Sequence, residues 1–307
     1  MIGMIMRAAA AEYLIRQRVS ALRRVLPAAK TGDATSLHQA RVATRRLRAA
    51  LPLVASGGKA QKVTKAVRRL TRTLGPVREL DVELMILDEL ASEGDVPPAA
   101  IDRLRAAIVE ERHRLQEDVR TRLEEFNLDK LSKRALAAAR KMPEEKKQKP
   151  HDRHGAVSAR ERTARRAHRL NVTIENAAGL YLPDRLHEVR IAVKKLRYTL
   201  ELTTRGSSSQ GAARLRKLKN VQDLLGRMHD LEVLIARTRG IQSSPGASTL
   251  KVSADLDRLV RRLETECRQL HGQYMALRPT LIALANRIVA AGRPRTSTRS
   301  RSRSSAA

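Results

Sequence analysis

Two short stretches of this chain carry residues whose types and spacing could do chemistry. His38, Arg41, Arg45 and Arg48 in HQARVATRRLR recur as His187, Arg190, Lys194 and Arg197 in HEVRIAVKKLR. At about 100° per residue on a helix, the three cations of each set fall within roughly 80° of their histidine. The chemistry this suits is anion binding. Guanidinium forks make bidentate, charge-assisted hydrogen bonds to phosphate, on the order of 1.5–3 kcal/mol each.

The elements that must position these residues are helices, and the helices explain why the cations matter. Beside the basic arc runs an apolar one: Leu47 and Leu51 in the first stretch, Val189, Val193, Leu196 and Leu200 in the second. The basic stripe therefore borders a buried face. Two cations about 7 Å apart at an effective dielectric of 20 repel by roughly 2 kcal/mol. Such a stripe needs carboxylates or a bound anion. Lys and Arg number 62 against 32 Asp and Glu, a formal net charge of +30, so nearly half the cations have no acidic partner available. A polyanion is the expected partner. His38 and His187 are expected in the first turn of their helices, where free N–H groups and the helix dipole also attract anions. One such histidine alone would read as a structural residue bonded to backbone; its repetition with the same cation spacing favours an anion-facing role.

A second tier of cations could widen the face. Arg46 and Lys195 point about 80° to the other side. Lys65 aligns with Arg216, Arg68 with Lys219, and Arg16 with Arg165. Taken singly, each reads as a solvated surface charge. The aligned pair Glu79 and Asp230 reads as orienting a basic residue or capping a helix after its glycine.

Helical periodicity covers almost the whole chain, and no segment alternates as strands do. The breakers predict helices over Arg7–Leu26 (closed by Pro27), Ser36–Ala55 (with Ser36 and Gln39 as a capping box), Lys59–Leu74, Val77–Ser92 (stopped at Gly94), Ala99–Glu125 and Asp129–Lys141. After MPEEKKQKPHDRHG they predict Val157–Ala178, Asp184–Thr204, Gln210–Leu225 (stopped at Gly226), Met228–Gly240, Val252–Leu277 and Pro279–Ala291. The last residues, RPRTSTRSRSRSSAA, offer almost nothing to bury. The expected organisation is a first bundle over 1–141, a linker over 142–155, a second bundle over 156–292 and a disordered basic tail over 293–307. Downstream of each basic stretch, LGPVRELDV from Leu74 aligns with LGRMHDLEV from Leu225. Agreement over both stretches points to an internal duplication, with two similar bundles about a pseudo-twofold axis.

Other functions are disfavoured. Gly57-Gly58-Lys59 lacks the earlier glycine and following hydroxyl of a phosphate-binding loop. Glu264 and Glu266 stand two apart on a helix, about 200° from each other, and cannot share a metal. No His/Cys cluster suggests zinc, so no metal, cofactor or catalysis is expected. The lone Cys267 and the lack of any apolar run of about 20 residues predict a soluble, cytoplasmic protein. Apolar Met1–Met6 is too short and wrongly flanked for a signal peptide. Nonspecific nucleic-acid binding is the rival reading, since charge and tail suit it. Aromatic residues are only 2% of the chain, however, with no Trp and only Phe126 as phenylalanine, so base-stacking platforms are scarce.

The two histidine stretches, each followed by LG-x-x-x-[ED]-L, resemble the conserved-histidine α-helical domain (CHAD) family over nearly the whole chain apart from linker and tail. The resemblance implies two helical bundles around a central basic channel, inorganic polyphosphate as ligand and, in some members, association with polyphosphate granules. The histidines and cations named above are the positions that carry over. Glu79, where Asp is common, and His229, where a small polar residue is more usual, are departures expected to lie away from the basic arc. Many members carry an N-terminal triphosphate-tunnel domain; this sequence has no room for one, and a stand-alone binder is expected.

Overall fold

The computed structural model describes residues 2–54, 57–140, 159–203, 209–243 and 250–292. Among these the chain is helical: α1 (Ile2–Lys30), α2 (Ala34–Val54), α3 (Gly57–Thr73), α4 (Gly75–Glu93), α5 (Pro98–Glu124), α6 (Leu128–Arg140), α7 (Ala159–Asn176), α8 (Pro183–Thr203), α9 (Ser209–Gln242) and α10 (Leu250–Gly292). No strand occurs among the described residues. The expected linker and tail lie outside them.

Helices α1, α2, α3 and α6 pack around Ile15, Leu47, Leu51, Val63, Val67 and Leu131. Helices α7 to α10 pack around Leu170, Val189, Leu196, Leu231 and Leu259. The hairpin of α4 and α5 is shared between them. Val77, Val119 and Leu123 sit in a core with Leu22, Leu37 and Leu70, whereas Leu87, Leu90, Leu104 and Ile108 join the core of α7–α10. Burying each such side chain favours the packed state by roughly 1.5–3 kcal/mol. The apolar arcs of α2 and α8 are fully withdrawn from water, as their periodicity requires.

Burial overrides several of the expected breaks. Helix α1 continues through Pro27 to Lys30 before Gly32, at φ +89°, turns the chain. The expected stop at Gly226 lies inside α9, and the expected break before Pro279 lies inside α10. A mid-helix glycine costs about 1 kcal/mol against alanine. The side chains around these points, Leu225, Met228, Tyr274 and Leu281, are all buried and hold the helices together. Gly94, with φ +75°, does end α4 as expected, its N–H donating to the Leu90 carbonyl.

The start of α2 also differs from expectation. Asp33 Oδ2 accepts the Ser36 N–H at 2.7 Å, so Asp33 caps the helix rather than Ser36. His38 is thus the fifth residue of α2, and His187, after Pro183, is the fifth of α8. Both stand one turn beyond the free N–H groups, which cannot add to their pull on an anion.

Candidate anion-binding site

The basic arcs of α2 and α8 face each other. Arg45 Nη2 donates to the Tyr198 hydroxyl across the helix pair at 2.5 Å, with the Arg45 guanidinium 5.4 Å from the centre of that ring. Arg41, Arg45, Arg48 and Arg190 all oppose the charging of Lys194. Burial and these neighbours together hold its ammonium down to about 7. Burial also lowers Arg45 and Arg190, and each guanidinium feels the other half's cations: Arg45 feels Arg190, and Arg190 feels Arg41. The two rows are one electrostatic cluster.

Neutralisation within the cluster is partial. Glu79 lies 3.4 Å from Arg41, and Asp230 lies 4.0 Å from Arg190. Both arginine side chains are about three-quarters withdrawn from water, at 25% and 21% exposed, so single long contacts leave them under-compensated. Arg197 is well held, donating to Gln222 Oε1 at 3.0 Å and to Glu201, and its guanidinium lies 4.7 Å from the Tyr198 ring centre. Arg45, Arg48 and Lys194 have no carboxylate within 4 Å among the described residues. Arg45 Nε, moreover, is buried without a hydrogen-bond partner there.

Each histidine is backed by the same position of the downstream stretch. In the first half Arg78 Nε donates to His38 Nδ1 at 3.2 Å. That bond leaves His38 neutral at Nδ1, with its proton on Nε2, free to donate to an anion. Burial, then Arg78, Arg45 and Arg41, lower its basicity. In the second half the Nδ1 atoms of His187 and His229 are 3.2 Å apart, so one ring must supply the single proton between them. Burial first, then Arg190, His187 and Lys194, hold His229 down to about 4. His229 and Glu79 therefore do touch the basic arc, contrary to expectation: the packing of α4 on α2 and of α9 on α8 brings the downstream stretches alongside it. Glu79 and Asp230 each lie beside the equivalent arginine.

The glycine of the first LG pair makes room for its arginine, whereas the aligned glycine stands at ordinary contact distance from its own. A Cβ at Gly75 would come within 2.7 Å of Arg41 Nη1, and one at Gly226 within 3.9 Å of Arg190 Nε. Aligned positions thus stand beside aligned cations in both halves.

A family model described as the CHAD domain matches residues 13–239. The chain belongs to the CHAD domain family. The family is associated with polyphosphate-related proteins. Among solved structures, PptA from Streptomyces chartreusis is similar with a TM-score of 0.67 and 15% identity, over 88% of this chain and 98% of that one. The CHAD domain from the plant Ricinus communis is similar with a TM-score of 0.54 and 22% identity, over 93% of this chain and 91% of that one. At these identities the likeness concerns the fold. No curated protein matches the chain.

Within this CHAD domain the second-tier cations scatter. Lys195 is exposed, and Arg166, Arg169 and Arg48 oppose its charging, so it borders the cluster. Arg46 lines a cleft of about 570 Å³ with Arg18, Arg24 and His38. Lys65 and Arg68 line a separate groove along α3. Arg16 is bound to Glu12 at 2.8 Å on the outer surface, and Lys219 to Asp223 at 2.6 Å. Arg165 and Arg216 are exposed. Tyr198 and Arg78 escaped the sequence reading. Tyr198 was findable, since it lies eleven residues after His187 and hence about 20° from it on α8.

Glu264 pairs with Arg239, while Glu266 pairs with Arg227 and Arg262, so the two carboxylates serve different arginines. No group of three or more His, Cys, Asp or Glu converges as a metal site would need, among the described residues. Nor, among these, is any helix long and apolar enough to cross a membrane. Cys267 is buried, its thiol pushed up to about 12 chiefly by burial, and is unsuited to nucleophilic work.

Proposed function

We propose that this CHAD domain binds inorganic polyphosphate between the facing basic arcs of α2 and α8, without catalysing a reaction. The observation that carries the reading is the cluster of Arg45, Arg48 and Lys194, partly buried and without carboxylate partners among the described residues. Removing such cations from water is costly, and like charges add to the cost. A chain of phosphates offsets both at once. It presents closely spaced negative oxygens to Arg41, Arg45, Arg190 and Lys194, and it needs no stacking platform. Neutral His38 and His187 would donate a further hydrogen bond from each half. On this reading the two halves form one channel descended from a duplicated unit, and the protein works in the cytoplasm and gathers on polyphosphate granules.

The test is a titration with long-chain polyphosphate at fixed ionic strength. Replacing Arg41, Arg45, Arg190 and Lys194 together with Gln should weaken binding by more than about a hundredfold, since each charge-assisted bond is worth roughly 1.5–3 kcal/mol. Folding should survive, because the substitutions remove repulsion as well as charge. Unchanged affinity in a folded quadruple variant would sink the assignment. A competition between polyphosphate and duplex DNA of equal phosphate content decides against nucleic acid: preference for DNA would favour that rival.

A further inference from the structure

We infer that the groove along α3 is a second polyanion-binding surface, which takes the part of a long chain that overhangs the central site on one side only. The inference rests on the polyphosphate reading and adds to it a direction and a chain-length dependence.

The groove encloses about 1130 Å³ between α3, the end of α5 and α6. Lys62, Lys65, Arg69 and Arg72 stand along α3 at spacings of three, four and three, the same spacing that sets out His38, Arg41, Arg45 and Arg48. They form a stripe about 15 Å long on one face of the helix, and all four are exposed. Arg122 of α5 and Arg134 of α6 complete the walls, against one lining carboxylate, Glu125. None of these six cations has a carboxylate within 4 Å among the described residues.

The groove borders the central site. Arg48 lies at the end of the α2 arc, and Arg68 and Arg72 of α3 are close enough to oppose its charging. A chain leaving the cluster past Arg48 thus meets α3 next. The second half lacks the matching stripe. At the aligned positions α9 carries Ala213, Arg216, Asn220 and Asp223, a single cation in place of four. Asp223 also neutralises Lys219 at 2.6 Å. Duplicated central rows with an unduplicated flank give the bound chain a preferred exit.

The test compares two ligands and two variants at fixed ionic strength. One variant carries Lys62→Gln, Lys65→Gln and Arg69→Gln; the other removes as many exposed cations from the opposite flank, through Arg216→Gln, Lys217→Gln and Lys219→Gln. Glutamine keeps helix propensity at these positions. The α3 variant should bind long-chain polyphosphate about tenfold more weakly, with a shallower salt dependence, and tripolyphosphate within about twofold of the wild type. The α9 variant should bind both ligands within about twofold of the wild type. Equal losses for both ligands, equal losses in the two variants, or no loss in the α3 variant would each overturn the inference while leaving the central site standing. Failure of the unmodified protein to bind long-chain polyphosphate would remove the polyphosphate reading, and the inference with it.

Discussion

The two halves of the basic cluster use the same positions with different chemistry. The first half is built from fixed charges: Arg78 backs His38, and Arg45 stands at the centre of the row. The second half is built from titratable groups: His229 backs His187, and Lys194 takes the central place. A guanidinium keeps its proton under the strain of burial and repulsion, whereas an ammonium or imidazole can release it. The unliganded protein thus relieves its own crowding on one side alone. On the proposed reading, an arriving polyanion would meet a charged wall opposite a partly discharged one, and recharging the second wall would require protons from solvent.

The largest effect this contrast predicts is on the pH dependence of binding. Lys194 in the free protein titrates at about 7, and a bound anion favours its charged form. Binding should be tightest below pH 7 and weaken as pH rises above it, by at most about tenfold per pH unit for one proton. Titration calorimetry in buffers of different ionisation enthalpy should show proton uptake near about pH 8. Lys194→Arg should flatten the profile; an unchanged slope would assign the proton elsewhere.

Next in size is stability. The folded value for Lys194 lies below its ordinary 10.5, so between the two values the unfolded chain binds more protons. The penalty is full below pH 7 and is relieved as pH rises through the window toward 10.5. Lys194→Met should raise the melting temperature by about 2–4 °C at or below neutral pH, corresponding to roughly 1 kcal/mol, with the gain shrinking as pH rises above 7 and gone only as pH approaches the ordinary 10.5. Arg45→Met should give a gain that persists at the higher pH. Equal pH behaviour of the two variants in thermal melts would erase the distinction between the halves.

A smaller change is expected from His229→Arg, which copies the first half's arrangement into the second. Binding at about pH 8 should tighten by roughly threefold, and the free protein should become slightly less stable. Weaker binding would mean that the histidine pair contributes something an arginine cannot. The smallest contrast concerns the paired glycines. Gly226→Ala meets only ordinary contact with Arg190 and should stabilise α9 by about 0.5–1 kcal/mol. Gly75→Ala would push Arg41 aside and should lower affinity a few-fold instead. Chemical denaturation and ligand titration of both variants separate the outcomes.

Much of this arrangement could be read along the chain because it depends on period and charge. The all-helical fold follows from 3.6-residue repeats, and the two arcs follow from the 3-4-3 spacing of His38, Arg41, Arg45 and Arg48. What could not be read is what happens between helices. The partnership of His187 with His229, 42 residues away, depends on the packing of α9 on α8, and no local pattern encodes it. Gly226 and Pro279 read as breakers because their local cost is visible in sequence, whereas the burial of Leu225, Met228, Tyr274 and Leu281 that outweighs it depends on distant partners. Ser36 and Asp33 are both good capping residues, and the geometry of the turn decided between them.

Tyr198 has a practical consequence. The chain has no tryptophan and only four tyrosines. Of these, Tyr13 is on the outer surface, Tyr181 bonds to Glu232 and Tyr274 is enclosed by apolar packing. Tyr198 alone lies against guanidinium groups of the cluster, those of Arg45 and Arg197. Were those groups to turn toward the proposed ligand, the phenol would change neighbours. On the proposed function, occupancy of the cluster should then be readable as a change in the chain's own ultraviolet emission, without any attached dye.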